Sequence, residues 1–122
     1  MNNNDFLHSF KNAINGVRLA FKSERNIKIH FAFVGLVIIA LIIFEIKAAE
    51  LAIVFLTMGL VLVTELINTA IEKFVDLVKP EYHVLAGYIK DVAAGAVLIS
   101  AIIAVIVGII VFGPKILNIL GK

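Results

Sequence analysis

Cysteine and tryptophan are absent from the 122 residues, proline occurs twice, and 16% of the side chains are charged. Without cysteine there is no disulfide framework and no thiolate chemistry, and the redox compartment is left undetermined. No GxxxxGK[ST] phosphate loop, kinase catalytic loop or dinucleotide fingerprint occurs, so any nucleotide would bind outside the common soluble folds. The net charge is only +2, and the basic residues line a membrane-type helix, which is no nucleic-acid footprint. The N-terminal basic segment is amphipathic and leads into a run without a small-residue cleavage site, which argues against a signal peptide.

What the chain has in excess is apolar side chains: 61% of residues are hydrophobic, and the mean hydropathy is +1.06. A soluble domain carries roughly 45–50%. The expected class is therefore an all-α integral membrane protein, with residues 1–122 as one domain. Residues 5–25 read as an amphipathic helix. Phe6, Phe10, Ile14, Val17 and Phe21 form one stripe, and Lys11, Arg18, Lys22 and Arg25 form a basic stripe beside it. Such a helix suits the membrane interface, with phenylalanines at the acyl boundary and cations near lipid phosphates. Gly16 on it leaves room for a close approach by backbone or ligand.

Three apolar runs follow. Residues 29–44 carry no charge, nor do residues 51–64 and 92–114. Extended to snorkelling or capping neighbours, they predict membrane helices over 28–47, 49–78 and 88–113. Ala96, Ser100, Ala104 and Gly108 repeat every four residues on the last, a ridge that would let helix backbones approach closely. Lys11, Arg18, Lys22, Arg25 and Lys28 fall in the first 28 residues, and Lys79 and Lys90 flank the connection between the second and third spans. The excess of cations on that side puts it, with the N-terminus, in the cytoplasm.

The second span changes character without a glycine or proline to break it. Glu65, Asn68, Glu72 and Asp76 appear within an arc of roughly 80°. A polar stripe on a membrane helix is costly unless it faces protein, water or a ligand. Counting the span from the far side puts the stripe at the cytoplasmic surface, where Glu24, Lys28 and Lys90 also gather. Carboxylates with lysine suit Mg²⁺ and phosphate, and Glu65, the deepest of the set, is the candidate base on a lipid hydroxyl. A polar seam between helices, a small oligomeric channel and a non-catalytic scaffold also fit the stripe. The apolar middle of each span speaks against a pore. His30 and Tyr82 read as interfacial side chains, and His30 with His83 is no persuasive metal pair. Three short helices enclose no deep pocket, so a site shared between subunits is expected.

The run Glu65-Leu66-Ile67-Asn68-Thr69-Ala70-Ile71-Glu72-Lys73-Phe74-Val75-Asp76 resembles the signature of the small prokaryotic diacylglycerol kinase family. The likeness continues through Glu81-Tyr82-His83, Gly87 and Lys90-Asp91, and upstream through Ala13, Gly16 and Glu24. It implies a homotrimeric membrane kinase with one surface helix and three spans per subunit. Such an enzyme transfers phosphate from ATP, with Mg²⁺, to a lipid alcohol, and the surface helix acts as a lid. By the resemblance Glu65 is the base and Glu24 and Glu72 hold the metal. Asn68, Asp76, Glu81, Tyr82, His83, Lys90 and Asp91 then belong to the nucleotide and active-site region. Ser23-Glu24-Arg25-Asn26-Ile27-Lys28-Ile29-His30 and the lack of tryptophan resemble the Gram-positive branch. Members of that branch are similar to undecaprenol kinases, so undecaprenol is the expected acceptor and diacylglycerol the alternative.

Overall fold

A computed structural model describes residues 3–122 as four helices: α1 (Asn3–Ser23), α2 (Arg25–Ile43), α3 (Ala48–Val78) and α4 (Val84–Leu120). The last three are long and apolar enough to cross a membrane. At 1.5 Å per residue α2 is about 28 Å long, close to the hydrocarbon thickness, whereas α3 reaches about 46 Å and must project beyond it.

α3 is the axis of the molecule. It packs against each of the other three helices, most extensively along α4, and α1 also touches α2. The seam between α3 and α4 is closed by small side chains. Ser100 is 2% exposed, and its hydroxyl lies 3.0 Å from that of Thr64. Thr64 also donates to the Leu60 carbonyl at 2.9 Å, and Ser100 donates to the Val97 carbonyl at 2.7 Å. Both hydroxyls are therefore satisfied in an apolar setting, where a lone one would be costly. Ala93, Ser100 and Val111 are the buried residues of α4. Ser100 is the member of the predicted ridge that packs deeply, while Ala96 is exposed and a Cβ on Gly108 would meet open space. Most large apolar side chains outside this seam are exposed, Ile42 and Leu77 by 80% each, as expected of surface facing lipid or other subunits.

The helix ends differ from those expected at four places, one of them the end of α2, which stops at Ile43 instead of running to residue 47. A single residue, Glu24, separates α1 from α2, with extended torsions of φ −117° and ψ 120°. No glycine or proline marks this corner. Phe21 and Phe31 hold it from the two sides, edge to face at 5.3 Å, a geometry worth about 1 kcal/mol beyond burial. α4 starts at Val84, so that Gly87, Lys90 and Asp91 lie inside it. Its start is set by His83, whose Nδ1 accepts the Leu85 amide at 3.1 Å, the place usually taken by Ser, Thr, Asp or Asn. At the other end α4 runs through Pro114 to Leu120. Proline removes one helical hydrogen bond but does not end a helix whose neighbours hold it. Here Phe112 meets Phe44 at 6.0 Å, and Lys115 reaches the Glu50 carboxylate at 3.1 and 3.3 Å.

Candidate functional site

The stripe on α3 points into two different surroundings. Its inner end faces α2. Glu65 is 3% exposed, and its Oε2 lies 3.5 Å from Nε2 of His30, which is itself largely covered. Among the described residues no other ion pair or hydrogen bond reaches this carboxylate. One turn on, Asn68 is buried; its amide donates to Glu72 Oε1 at 3.4 Å, and its Oδ1 is buried without a partner among the described residues. Buried polar atoms are rarely left so. A carbonyl oxygen beside a half-buried carboxylate is a place prepared for a donor or a cation.

Glu24 stands at the corner between α1 and α2. It occupies the N-cap position of α2, yet makes no side-chain cap. Its carboxylate instead pairs with Lys73 of α3 at 3.1 Å. An ammonium held there shows that Glu24 is aimed at α3 and can hold a cation. Glu24, Glu72 and the Asn68 Oδ1 each present hard oxygen, the donor type of Mg²⁺, an ion that takes one or two carboxylates and completes its shell with water and phosphate. Among the described residues no group of three or more His, Cys, Asp or Glu is placed to hold a metal ion.

The outer end faces the connection to α4. Asp76 is exposed and is bonded by Lys90 of α4, so Lys90 is paired with Asp76 rather than with its sequence neighbour Asp91. Lys79 pairs with Glu81 at 3.5 Å. Asp76, Glu81, Tyr82, His83 and Lys90 together line an open cavity of about 160 Å³. Asp91 is exposed and does not line it. Glu65 and Asp76 are eleven residues apart, about 16 Å along the axis. The stripe on α3 thus has a dry end at Glu65 and a wet end at Asp76, where Glu81, Tyr82, His83 and Lys90 gather.

Two further cavities flank the inner cluster. One, of about 380 Å³, runs between α2, α3 and α4, with Phe33, Val34, Val37, Met58, Leu62 and Ala104 among its walls and His30 as the polar residue at its end. The other, of about 460 Å³, separates α1 from α3. Gly16 lines it, and a Cβ there would meet nothing within 4 Å, so the close approach expected at Gly16 is not made by this chain. Thr69 also lines it, with a hydroxyl that is buried and unpartnered among the described residues.

Two partners are not foreseeable from spacing: His30 for Glu65 and Lys73 for Glu24. From sequence His30 is expected to be an interfacial side chain. A depth count would have brought it to Glu65. It lies one and a half turns inside the start of α2, and Glu65 lies a similar depth below the surface once the projecting end of α3 is subtracted. Lys73 gave no signal, since it points away from the stripe and its partner comes from a corner that no sequence feature marks.

Residues 11–112 match the family described as prokaryotic diacylglycerol kinase. The chain is 41% identical over 112 residues to the undecaprenol kinase of Bacillus subtilis, covering 92% of this chain and 91% of that one. It is 45% identical over 118 residues to a diacylglycerol kinase of Synechocystis, covering 95% and 67%. To the diacylglycerol kinase of Escherichia coli K12 it is 34% identical over 91 residues, or 75% of each chain. A match that takes in the whole polar stripe, the corner carboxylate and the α3–α4 connection leaves no alternative: the chain belongs to the prokaryotic diacylglycerol kinase family.

Proposed function

We propose that this chain, acting as a single membrane kinase domain in a homotrimer, transfers the γ-phosphate of ATP to the hydroxyl of undecaprenol at the cytoplasmic membrane face. That the reaction is a lipid phosphorylation follows from the family. The choice of acceptor is supported by the likeness to the B. subtilis undecaprenol kinase, which covers nearly the full length of both chains. Diacylglycerol is the second reading, favoured by the similarly identical Synechocystis relative.

The observation that carries the reaction is Glu65, a buried carboxylate paired with His30, which lines an apolar cavity between the spans. The lipid hydroxyl approaches sideways from the bilayer and Glu65 accepts its proton. Glu24 and Glu72 would hold Mg²⁺, with the Asn68 oxygen at hand. The bound ion supplies charge neutralisation on the β- and γ-phosphates. Lys90 and the groups around the α3–α4 connection, Asp76, Glu81, Tyr82, His83 and Asp91, bind and orient the nucleotide. Little covalent chemistry falls to the protein, since phosphoryl transfer is mostly positioning and electrostatics. The orientation, with N-terminus and stripe in the cytoplasm, rests on the cation bias. α1 lies on the membrane as a lid. The sharing of sites between subunits is supported by the outer cluster, which one chain leaves open, with the Asp76 side chain 59% exposed.

Purified protein given labelled ATP, Mg²⁺ and either undecaprenol or diacylglycerol in mixed micelles tests this reading. Faster label transfer to undecaprenol is expected. Preference for diacylglycerol would reverse the acceptor assignment, and no transfer to either would end the kinase reading.

A further inference from the structure

His30 has no part in the scheme above, yet it is the one described side chain paired with Glu65. Three observations set it apart. Its Nε2 lies 3.5 Å from Glu65 Oε2, in a contact that joins α2 to α3. The Glu65 side chain is 4% exposed and that of His30 19%, so water competes little for the contact. His30 also stands at the polar end of the apolar cavity between α2, α3 and α4, where a lipid hydroxyl entering from the bilayer would arrive.

A buried carboxylate is stable as an anion only with a partner that offsets its desolvation. A lysine or arginine would do so, but would hold the negative charge too firmly for a base. An imidazole N–H is a weaker partner. It can anchor one oxygen and leave the other basic and oriented. Since the contact is to Oε2, Oε1 is the atom left for substrate.

We propose that His30 is a positioning residue for Glu65. Its Nε2–H holds Oε2, so that Oε1 faces the acceptor hydroxyl at the end of the apolar cavity. The inference rests on the kinase reading above and adds a residue to it. In the step, the hydroxyl proton passes to Glu65 Oε1 as the acceptor oxygen bonds to the γ-phosphorus. The bond from that phosphorus to the β,γ-bridging oxygen breaks, and ADP leaves with its electron pair. His30 neither gains nor loses a proton. The 3.5 Å separation is longer than a hydrogen bond and closes to one when substrate excludes the remaining water, as catalytic contacts in free enzymes commonly do.

The test compares wild type, His30→Ala and His30→Gln in detergent, by kcat and by KM for MgATP. Gln retains an N–H donor but cannot ionise. His30→Ala is expected to lower kcat by about 10-fold to 100-fold, the cost of letting a reacting group drift by about an ångström, with KM for MgATP unchanged. His30→Gln is expected to recover most of that loss. Wild-type kcat in His30→Ala, a loss confined to KM, or a Gln variant as slow as Ala would each overturn the proposal. If His30→Ala loses its helical circular dichroism, His30→Met replaces it in the comparison. An inactive wild type would instead refute the kinase reading, so the two failures are distinguishable.

Discussion

Glu65 and Asp76 leave α3 in nearly the same direction, but Glu65 is 3% exposed and the Asp76 side chain 59%. The partner of the first is a half-covered imidazole, and that of the second is a lysine open to solvent. The same chemical group therefore does different work at the two ends. Inside, desolvation strengthens every electrostatic contact and makes a missing partner expensive. Outside, water screens the pair, whose worth falls to at most about 1 kcal/mol. A phosphoryl-transfer site can use both. A dry end keeps water from competing as the acceptor, and a wet end lets a charged nucleotide enter and leave.

Substitutions should separate the two ends, in decreasing order of effect. Glu65→Gln is expected to lower kcat by about 1,000-fold, within the range for loss of a general base, while circular dichroism and the oligomer stay as in wild type. Activity near wild type in the micelle assay would remove Glu65 from the base role. Ser100→Leu tests the packing that seats the inner end. It drives a larger side chain into the α3–α4 seam and breaks the contact with Thr64, at a cost of about 1–3 kcal/mol, to be read as a lower midpoint of thermal unfolding in detergent. Gly108→Leu, placed where a Cβ meets open space, should leave that midpoint nearly unchanged. A smaller assembly than that of the unsubstituted protein on native mass spectrometry would then mark Gly108 as an inter-subunit contact.

Glu72→Gln lies between the two regimes. It should raise the half-saturating Mg²⁺ concentration by about tenfold, equivalent to ~1.4 kcal/mol, and an unchanged Mg²⁺ titration would count against its role as a ligand. At the wet end Asp76→Asn should move the unfolding midpoint least, by less than about 1 kcal/mol, and should act mainly on KM for ATP. A kcat loss as large as that of Glu65→Gln would erase the distinction between the two ends.

Much of the site was legible in the sequence because it is carried by one helix. The 3.6-residue period aligns Glu65, Asn68, Glu72 and Asp76 whatever surrounds them, and a run of this length and polarity must emerge at a membrane surface. Glu24 was legible as a carboxylate on the stripe's side of the membrane, and as a metal holder only through its motif. Its placement depends on a one-residue corner, closed by Phe21 against Phe31, and local propensity gives no warning of it. The start of α4 was misjudged because a histidine caps it. Its far end was misjudged because proline is a weaker stop in a helix whose neighbours hold it.

The sequence by itself determined the membrane class, the four helical segments, the stripe and its alignment, since each follows from hydropathy and period along one stretch of chain. Only the tertiary structure decided what stands beside the deepest carboxylate. His30 and Glu65 are 35 positions apart on different helices, and their meeting depends on how deep each helix sits and which face it turns. Glu24 on Lys73, Lys90 on Asp76 and Ser100 on Thr64 are of the same kind. Each is a pairing between helices, and its partner is chosen by packing rather than by spacing.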